Sequence, residues 1–299
     1  MRRGLSGLQR GAVRAARGRG ARSPAQIPAR GWKDILIRTQ REFTDDQIPM
    51  IAAGMAFYAL LALFPTLGAM VALYGLFADL AQVREHMRLL SFMLPPAALT
   101  LIGDEMVRIA AARGQGLSFA FVVGFAAAIW SANGAVNALM TGLNVAYEQK
   151  ESRGFLRRTA TSMAFTLGLL AFGVAALALT AAGTVIQTFA GAHAATVFGW
   201  VTWPVLLVGL TVALALVYRY GPSRRAPWRW ITWGSAVAIA LWVGVSVGFS
   251  LYVGSFAHYD RTYGSLGAVV GFMTWAWLSG MVILAGAELN SEIERQADG

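Results

Sequence analysis

The sequence predicts an all-α polytopic membrane protein with six transmembrane helices, an amphipathic interfacial helix and an extracytoplasmic helical hairpin. Three observations carry that reading. Uncharged apolar runs of bilayer-crossing length recur along the chain, ionisable residues gather in short clusters between them, and basic residues concentrate in alternate clusters. Charged residues make up 13% of the 299 positions and mean hydropathy is +0.54, whereas an ordinary soluble domain is about 25% charged. Cysteine is absent, which excludes disulfides, thiolate metal sites and cysteine nucleophiles. A net charge of +10 would suggest nucleic acid in a soluble protein; here the placement of that charge matters more than its sum.

Residues 1–30 hold eight arginines and no acidic residue among many Gly, Ala and Ser. They are expected to form a disordered basic tail, drawn to anionic lipid headgroups. A transit peptide would have a similar composition. No aromatic residue is interleaved with the arginines, so nucleic acid is not expected as a partner. Next, Trp32, Ile35, Leu36 and Phe43 recur at near-helical spacing among Lys33, Arg38 and Arg41, the pattern of a short helix lying in the membrane interface. Thr44, Asp45 and Asp46 are N-cap candidates and Pro49 suits a first helical turn, so a new helix should begin near residue 46.

Six spans follow, at about 50–76, 117–146, 160–189, 195–218, 231–256 and 264–287. Pro65 in the first span predicts a kink. The segments on one side carry 11, 4, 4 and 1 Lys+Arg, and those on the other carry 4, 0 and 1. The positive-inside rule therefore places both termini in the cytoplasm. Residues 77–116 lie outside. Val83, Met87, Leu90 and Leu94, then Leu99, Ile102, Met106 and Ile109, fall on helical faces around the breaker "LPPA", which predicts a helical hairpin. The domain reading is a tail at 1–30, a membrane domain at 31–295 and a short C-terminal tail at 296–299.

Candidate functional residues are few. Asn133, Asn137, Thr141 and Asn144 form a polar stripe on one face of the second span. Side-chain amides in lipid need partners, so the stripe either bonds neighbouring helices or lines a polar path. Glu288, near the end of the last span, joins that path as a hypothesis; a structural ion pair is the plainer reading. Tyr259, Asp260, Arg261 and Tyr263 precede the last span. They suit an outer elbow anchored by tyrosines, or an outer gate that meets headgroups. Gly244 and Gly248, and Gly267 and Gly271, sit four apart, as close-packed membrane helices require. His86, His193 and His258 lie in three separate outer segments without ligand spacing, so no metal site or cofactor is expected. Patterns for serine hydrolysis, phosphate cradling or zinc hydrolysis are missing.

Five blocks occur in one order: "AAGMAFYALLALFP" at 52–65, "WSANGAVNALMTGLNVAYEQKESRGF" at 130–155, "VYRYGP" at 217–222, "YGSLGAVVGFMTW" at 263–275 and "LAGAELNSE" at 284–292. Together they resemble the YihY/BrkB family of bacterial inner-membrane proteins, over about residues 32–295. Ala62 and Gly221 depart from the serine and leucine expected there. The resemblance implies a six-helix inner-membrane protein and little about activity. The label ribonuclease BN attached to some members is not adopted, because the chain offers neither a metal cluster nor a solvent-accessible acid/base pair. The expected function is a transporter, flippase or exporter of a lipid or envelope component. The alternative is a non-transporting, envelope-organising or partner-binding membrane protein. An intramembrane enzyme using Glu288 or Asp260 as general acid/base is a third. Substrate, energy source and oligomeric state stay open, an oligomer being compatible with the sequence.

Overall fold

The computed structural model describes residues 21, 23–77, 117–224, 228–255 and 265–298. In lipid, backbone polar groups must be satisfied within the segment, so long apolar runs become helices. A 3-10 turn at Pro24–Gln26 leads into α1 (Ala29–Asp45), α2 (Ile48–Phe77), α3 (Leu117–Ala146), α4 (Phe155–Tyr220), α5 (Trp228–Ser255) and α6 (Ser265–Asp298). Five helices among the described residues are long and apolar enough to cross a membrane, and counting the bent pair of α1 and α2 brings the number to six. The outer hairpin, and the elbow residues Tyr259, Asp260, Arg261 and Tyr263, lie outside the described residues.

Two of the expected spans, 160–189 and 195–218, are halves of α4. The helix breaks at Gly191, whose φ of 85° lies in the left-handed region that glycine enters without steric cost. The halves fold back on each other. A Cβ on Gly209 would sit 2.9 Å from the Phe172 ring, and one on Gly183 would sit 3.8 Å from Phe198. Both pairs are centred on the break, which fixes an antiparallel hairpin.

The chain divides into two compact units. The first contains the described residues of 1–53, 136–248 and 277–299. Its helices meet at small residues. A Cβ on Gly142 of α3 would come within 2.8 Å of Leu284 of α6 and 3.0 Å of Ile51 of α2. A Cβ on Gly286 would lie 2.7 Å from Ala238 of α5, beside the Tyr218 hydroxyl. That hydroxyl donates to the Ile283 carbonyl at 2.6 Å. Gly234 donates its N–H to Asn290 Oδ1 at 3.0 Å, and the Trp277 indole donates to the Pro49 carbonyl at 2.9 Å. Gly244, Gly248 and Gly271, by contrast, have nothing within 4 Å of an added Cβ among the described residues; their sequence spacing does not mark where the helices touch.

The second unit contains the described residues of 54–135 and 249–276. There Tyr58 of α2 lies against Gly134 of α3, 2.7 Å from where a Cβ would be, and stacks edge-on with Phe57 at 5.7 Å.

Two element boundaries differ from expectation, each for a physical reason. Residues 23–30 are ordered: Ile27 is buried with Ile35, Leu289 and Ile293, and Trp32 packs against them. That contact gives the amphipathic face of α1 a protein partner in α6. α2 covers Ile48–Phe77, within two residues of the expected span, with Pro65 inside it. α6 continues eleven residues past the expected end at 287, because its charged last turns are buried with partners rather than left to water.

An apolar groove beside a polar latch

The described polar contacts gather where α3, α4 and α6 end. Asn144, 6% exposed in the last turn of α3, accepts the Ser223 backbone N–H on Oδ1 at 2.7 Å and donates to Glu151 Oε2 at 3.0 Å. Glu151 also accepts the Arg153 backbone N–H at 3.0 Å, the Arg153 side chain at 2.8 and 2.9 Å, and the Ser223 hydroxyl at 2.8 Å. Hydrogen bonds from the Arg153 guanidinium, supported by its backbone N–H, Ser223 and Asn144, hold the Glu151 carboxyl well below the usual carboxylate range against the opposing effect of burial. Arg153 in turn donates to the Gly221 carbonyl at 2.8 Å and the Tyr220 carbonyl at 3.3 Å. A cation thus satisfies carbonyls that the end of α4 leaves free.

A second cluster ties α1 to α6. Arg38 forms an ion pair with fully buried Glu292 and donates to Gln296 at 2.7 Å. Arg295 pairs with Glu148 at 2.5 Å, Glu292 at 2.8 Å and Glu42 at 3.8 Å. Arg224 pairs with Glu294 and lies 5.3 Å over the Tyr147 ring. Near this cluster buried Glu288 comes within electrostatic reach of Asp46, at the break between α1 and α2.

Beside the latch runs a groove of about 590 Å³ between the two halves of α4. One wall is Ala160, Thr161, Ala164, Phe165, Gly168 and Leu169, and the other is Ala213, Leu216, Val217 and Tyr220. Small side chains at 160, 164 and 168 recur every fourth residue, so one stripe of the first half is hollow. The walls are apolar along their length. Arg157, Thr161 and Tyr220 supply the polar groups at one end. Such a shape is an apolar trough with a cation at one end.

Of the residues singled out from the sequence, Asn144 enters the Glu151 latch. The Thr141 hydroxyl donates to the Asn137 carbonyl at 2.9 Å and accepts from Arg158 at 3.1 Å. Asn133 and Asn137 are half-buried on the same helix, and both are engaged with partners. Glu288 lies near Asp46. The sequence reading did not single out Glu151, Arg153, Arg157 or Asp46 as site residues. The signal for the groove was present in the four-residue spacing of Ala160, Ala164 and Gly168 ahead of a hairpin turn.

Residues 39–299 match the family model described as Virulence factor BrkB. A ribonuclease-like protein, YfkH, of Bacillus subtilis is 31% identical over 252 residues, covering 82% of this chain and 90% of that one. A UPF0761 membrane protein of Paraburkholderia xenovorans is 27% identical, covering 84% of this chain and 57% of its own longer sequence. Another, from Idiomarina loihiensis, is 25% identical, covering 85% and 88%. No solved structure matches. With the family model covering all but the first 38 residues and the helices those residues form built for a bilayer, the chain belongs to the BrkB family of integral membrane proteins.

Proposed function

We propose that this protein moves a lipid, or a lipid-linked envelope component, across the bacterial inner membrane, with both termini in the cytoplasm. The observation that carries the reading is the groove in α4, apolar along its walls with Arg157 at one end. In the proposed orientation that end faces the cytoplasmic leaflet, whose anionic headgroups favour a nearby cation by about 1 kcal/mol each. An acyl chain would lie against Ala164, Gly168 and Leu216 while the headgroup phosphate meets Arg157.

The chain is read as a non-nuclease. Among the described residues, Glu151 is taken up by Arg153, Glu292 by Arg38 and Arg295, and Glu294 by Arg224, which supports that reading. The ribonuclease-like name belongs to YfkH.

The test is lipid movement in vesicles that contain the purified chain and a fluorescent phosphatidylglycerol, with and without an imposed ion gradient. The wild type should expose inner-leaflet lipid to an external quencher several-fold faster than empty vesicles. Ala164→Trp, which fills the groove, should abolish the difference. A wild-type rate equal to that of empty vesicles under every gradient would overturn the reading.

A second reading, a non-transporting scaffold that organises the envelope, draws support from Asn144 and Thr141, whose described hydrogen bonds hold loops and helix ends together. It predicts no lipid movement and co-purification of an envelope partner that is lost when Glu151→Ala loosens the latch.

A further inference from the structure

The carboxyls of Glu288 and Asp46 are neighbours where the α1–α2 break, bent by 61°, faces the last helix. Glu288 is 1% exposed, and its Oε1 has no hydrogen-bond partner among the described residues. An ionised carboxylate can only accept hydrogen bonds. The contacts of Glu42 with Arg295 and of Pro49 with Trp277 bracket Asp46 against this stretch of α6, and two neighbouring carboxyls, one of them buried, disfavour being charged together.

The surroundings make a proton on the pair exchangeable rather than permanent. Facing the pair are Glu42 from α1, Asp45 at the break, Tyr147 and Glu148 from the segment after α3, and Arg295 from α6 itself. Tyr218 of α4 approaches one turn away at Gly286, its hydroxyl committed to the Ile283 carbonyl. Arg295 is the cation among them, and it already serves Glu42, Glu148 and Glu292. The carboxyl pair thus lacks a counter-charge of its own. Asp46 is only half-buried, which gives the proton a route to water. No trio of His, Asp and Glu among the described residues has the geometry to hold a metal ion, so the ligand this site fits is a proton.

We propose that Glu288 and Asp46 form a proton-binding site that fastens the α1–α2 break to α6 when loaded and releases it when unloaded. The proton resides on Glu288, beside Asp46. Its loss leaves two neighbouring carboxylates, and their repulsion separates the break from α6. The site goes beyond the lipid reading and holds whatever the protein moves, since it concerns proton occupancy alone.

Infrared difference spectroscopy of the full chain in lipid nanodiscs, titrated through neutral pH, tests it. A protonated-carboxyl C=O stretch should persist at neutral pH, disappear on further alkalinisation and move to lower frequency in D2O. The band should be lost in Glu288→Gln and shifted to a different titration midpoint in Asp46→Asn. If Glu288→Gln fails to reach the membrane, Asp46→Asn alone decides, because its side chain sits at the water-exposed break. Absence of the band in the wild type at neutral pH overturns the proposal. So does a band that titrates unchanged in the variants.

Discussion

Asn144 and Ser223, 79 residues apart in sequence, are joined by a 2.7 Å hydrogen bond from the Ser223 backbone N–H to the Asn144 amide oxygen. The other face of the same amide donates to Glu151. One side chain in the last turn of α3 therefore positions the segment after α4 and the carboxylate that anchors Arg153. Every polar atom of the Asn144 side chain is thus engaged in linking separate segments.

Glu151 should make the protein acid-labile. Its carboxyl is held well below the usual range by Arg153 in the folded state. The unfolded carboxyl titrates near its ordinary value, about 4.3. The stabilisation is therefore complete above about pH 4.3 and is lost as pH falls below it towards the lower folded value. The thermal midpoint of the wild type should fall on acidification in that window, and Glu151→Gln should flatten the fall. At neutral pH, Glu151→Ala should cost about 2–3 kcal/mol, because Arg153 and Ser223 lose charge-assisted partners. Parallel acid limbs for wild type and Glu151→Gln would contradict this.

Glycine substitutions should separate helix contacts from spacing alone. Gly286→Ala places a methyl 2.7 Å from the Ala238 Cβ and 3.1 Å from the Gly234 carbonyl oxygen, and neither backbone can easily give way. Overpacking of that kind costs about 1–3 kcal/mol. Gly244→Ala meets nothing within 4 Å among the described residues and removes a helix-interior glycine, so it should be neutral or stabilising by up to about 1 kcal/mol. Unfolding of both variants in SDS titrations, compared with wild type, measures the difference.

The contrast explains what could be read from the chain. Hydropathy located the helices well, because spans of this length admit only helices in lipid; α3 was expected at 117–146 and runs Leu117–Ala146. Close contacts were not legible in the same way. A pair such as Gly244 and Gly248 reports spacing along one helix, whereas contact at Gly142, Gly234 and Gly286 depends on the neighbour each meets. The end of α6 was misplaced for a related reason. Glu292 and Glu294 look like the water-facing end of a span, yet Arg38 and Arg224, distant in sequence, bury them. The buried Glu288 was visible as a candidate, but its partner Asp46 read as a helix cap.

Lipid held by the groove should depend on shape and charge separately. Arg157→Ala removes the cation at the groove end and leaves its apolar walls intact. Native mass spectrometry of the purified chain should show fewer retained phosphatidylglycerol molecules and a smaller loss of phosphatidylethanolamine, whose own ammonium offsets its phosphate. Ala164→Trp should reduce both. Equal retention of both lipids by all three proteins would show that the groove is not where lipid is held.

The Arg38–Glu292 pair should couple the first helix to the last. Their separation of 254 residues makes the contact wholly tertiary, and Glu292 is fully buried. Arg38 spans two acceptors, Glu292 and Gln296, from one guanidinium. A lysine ammonium is a compact point charge on a flexible stem and lacks that planar fork. Arg38→Lys should therefore recover less than half of the stability lost in Arg38→Met. In a double-mutant cycle, Arg38→Met and Glu292→Gln should each destabilise, and the pair together should cost less than their sum by about 1–2 kcal/mol, within the range for residues in one ionic network. Arg295 remains beside Glu292 at 2.8 Å, which keeps the Arg38→Met variant from leaving an unpaired buried charge and makes its fold recoverable for measurement. Strict additivity would mean that Arg38 acts through its apolar stem against α6, with the ion pair contributing nothing.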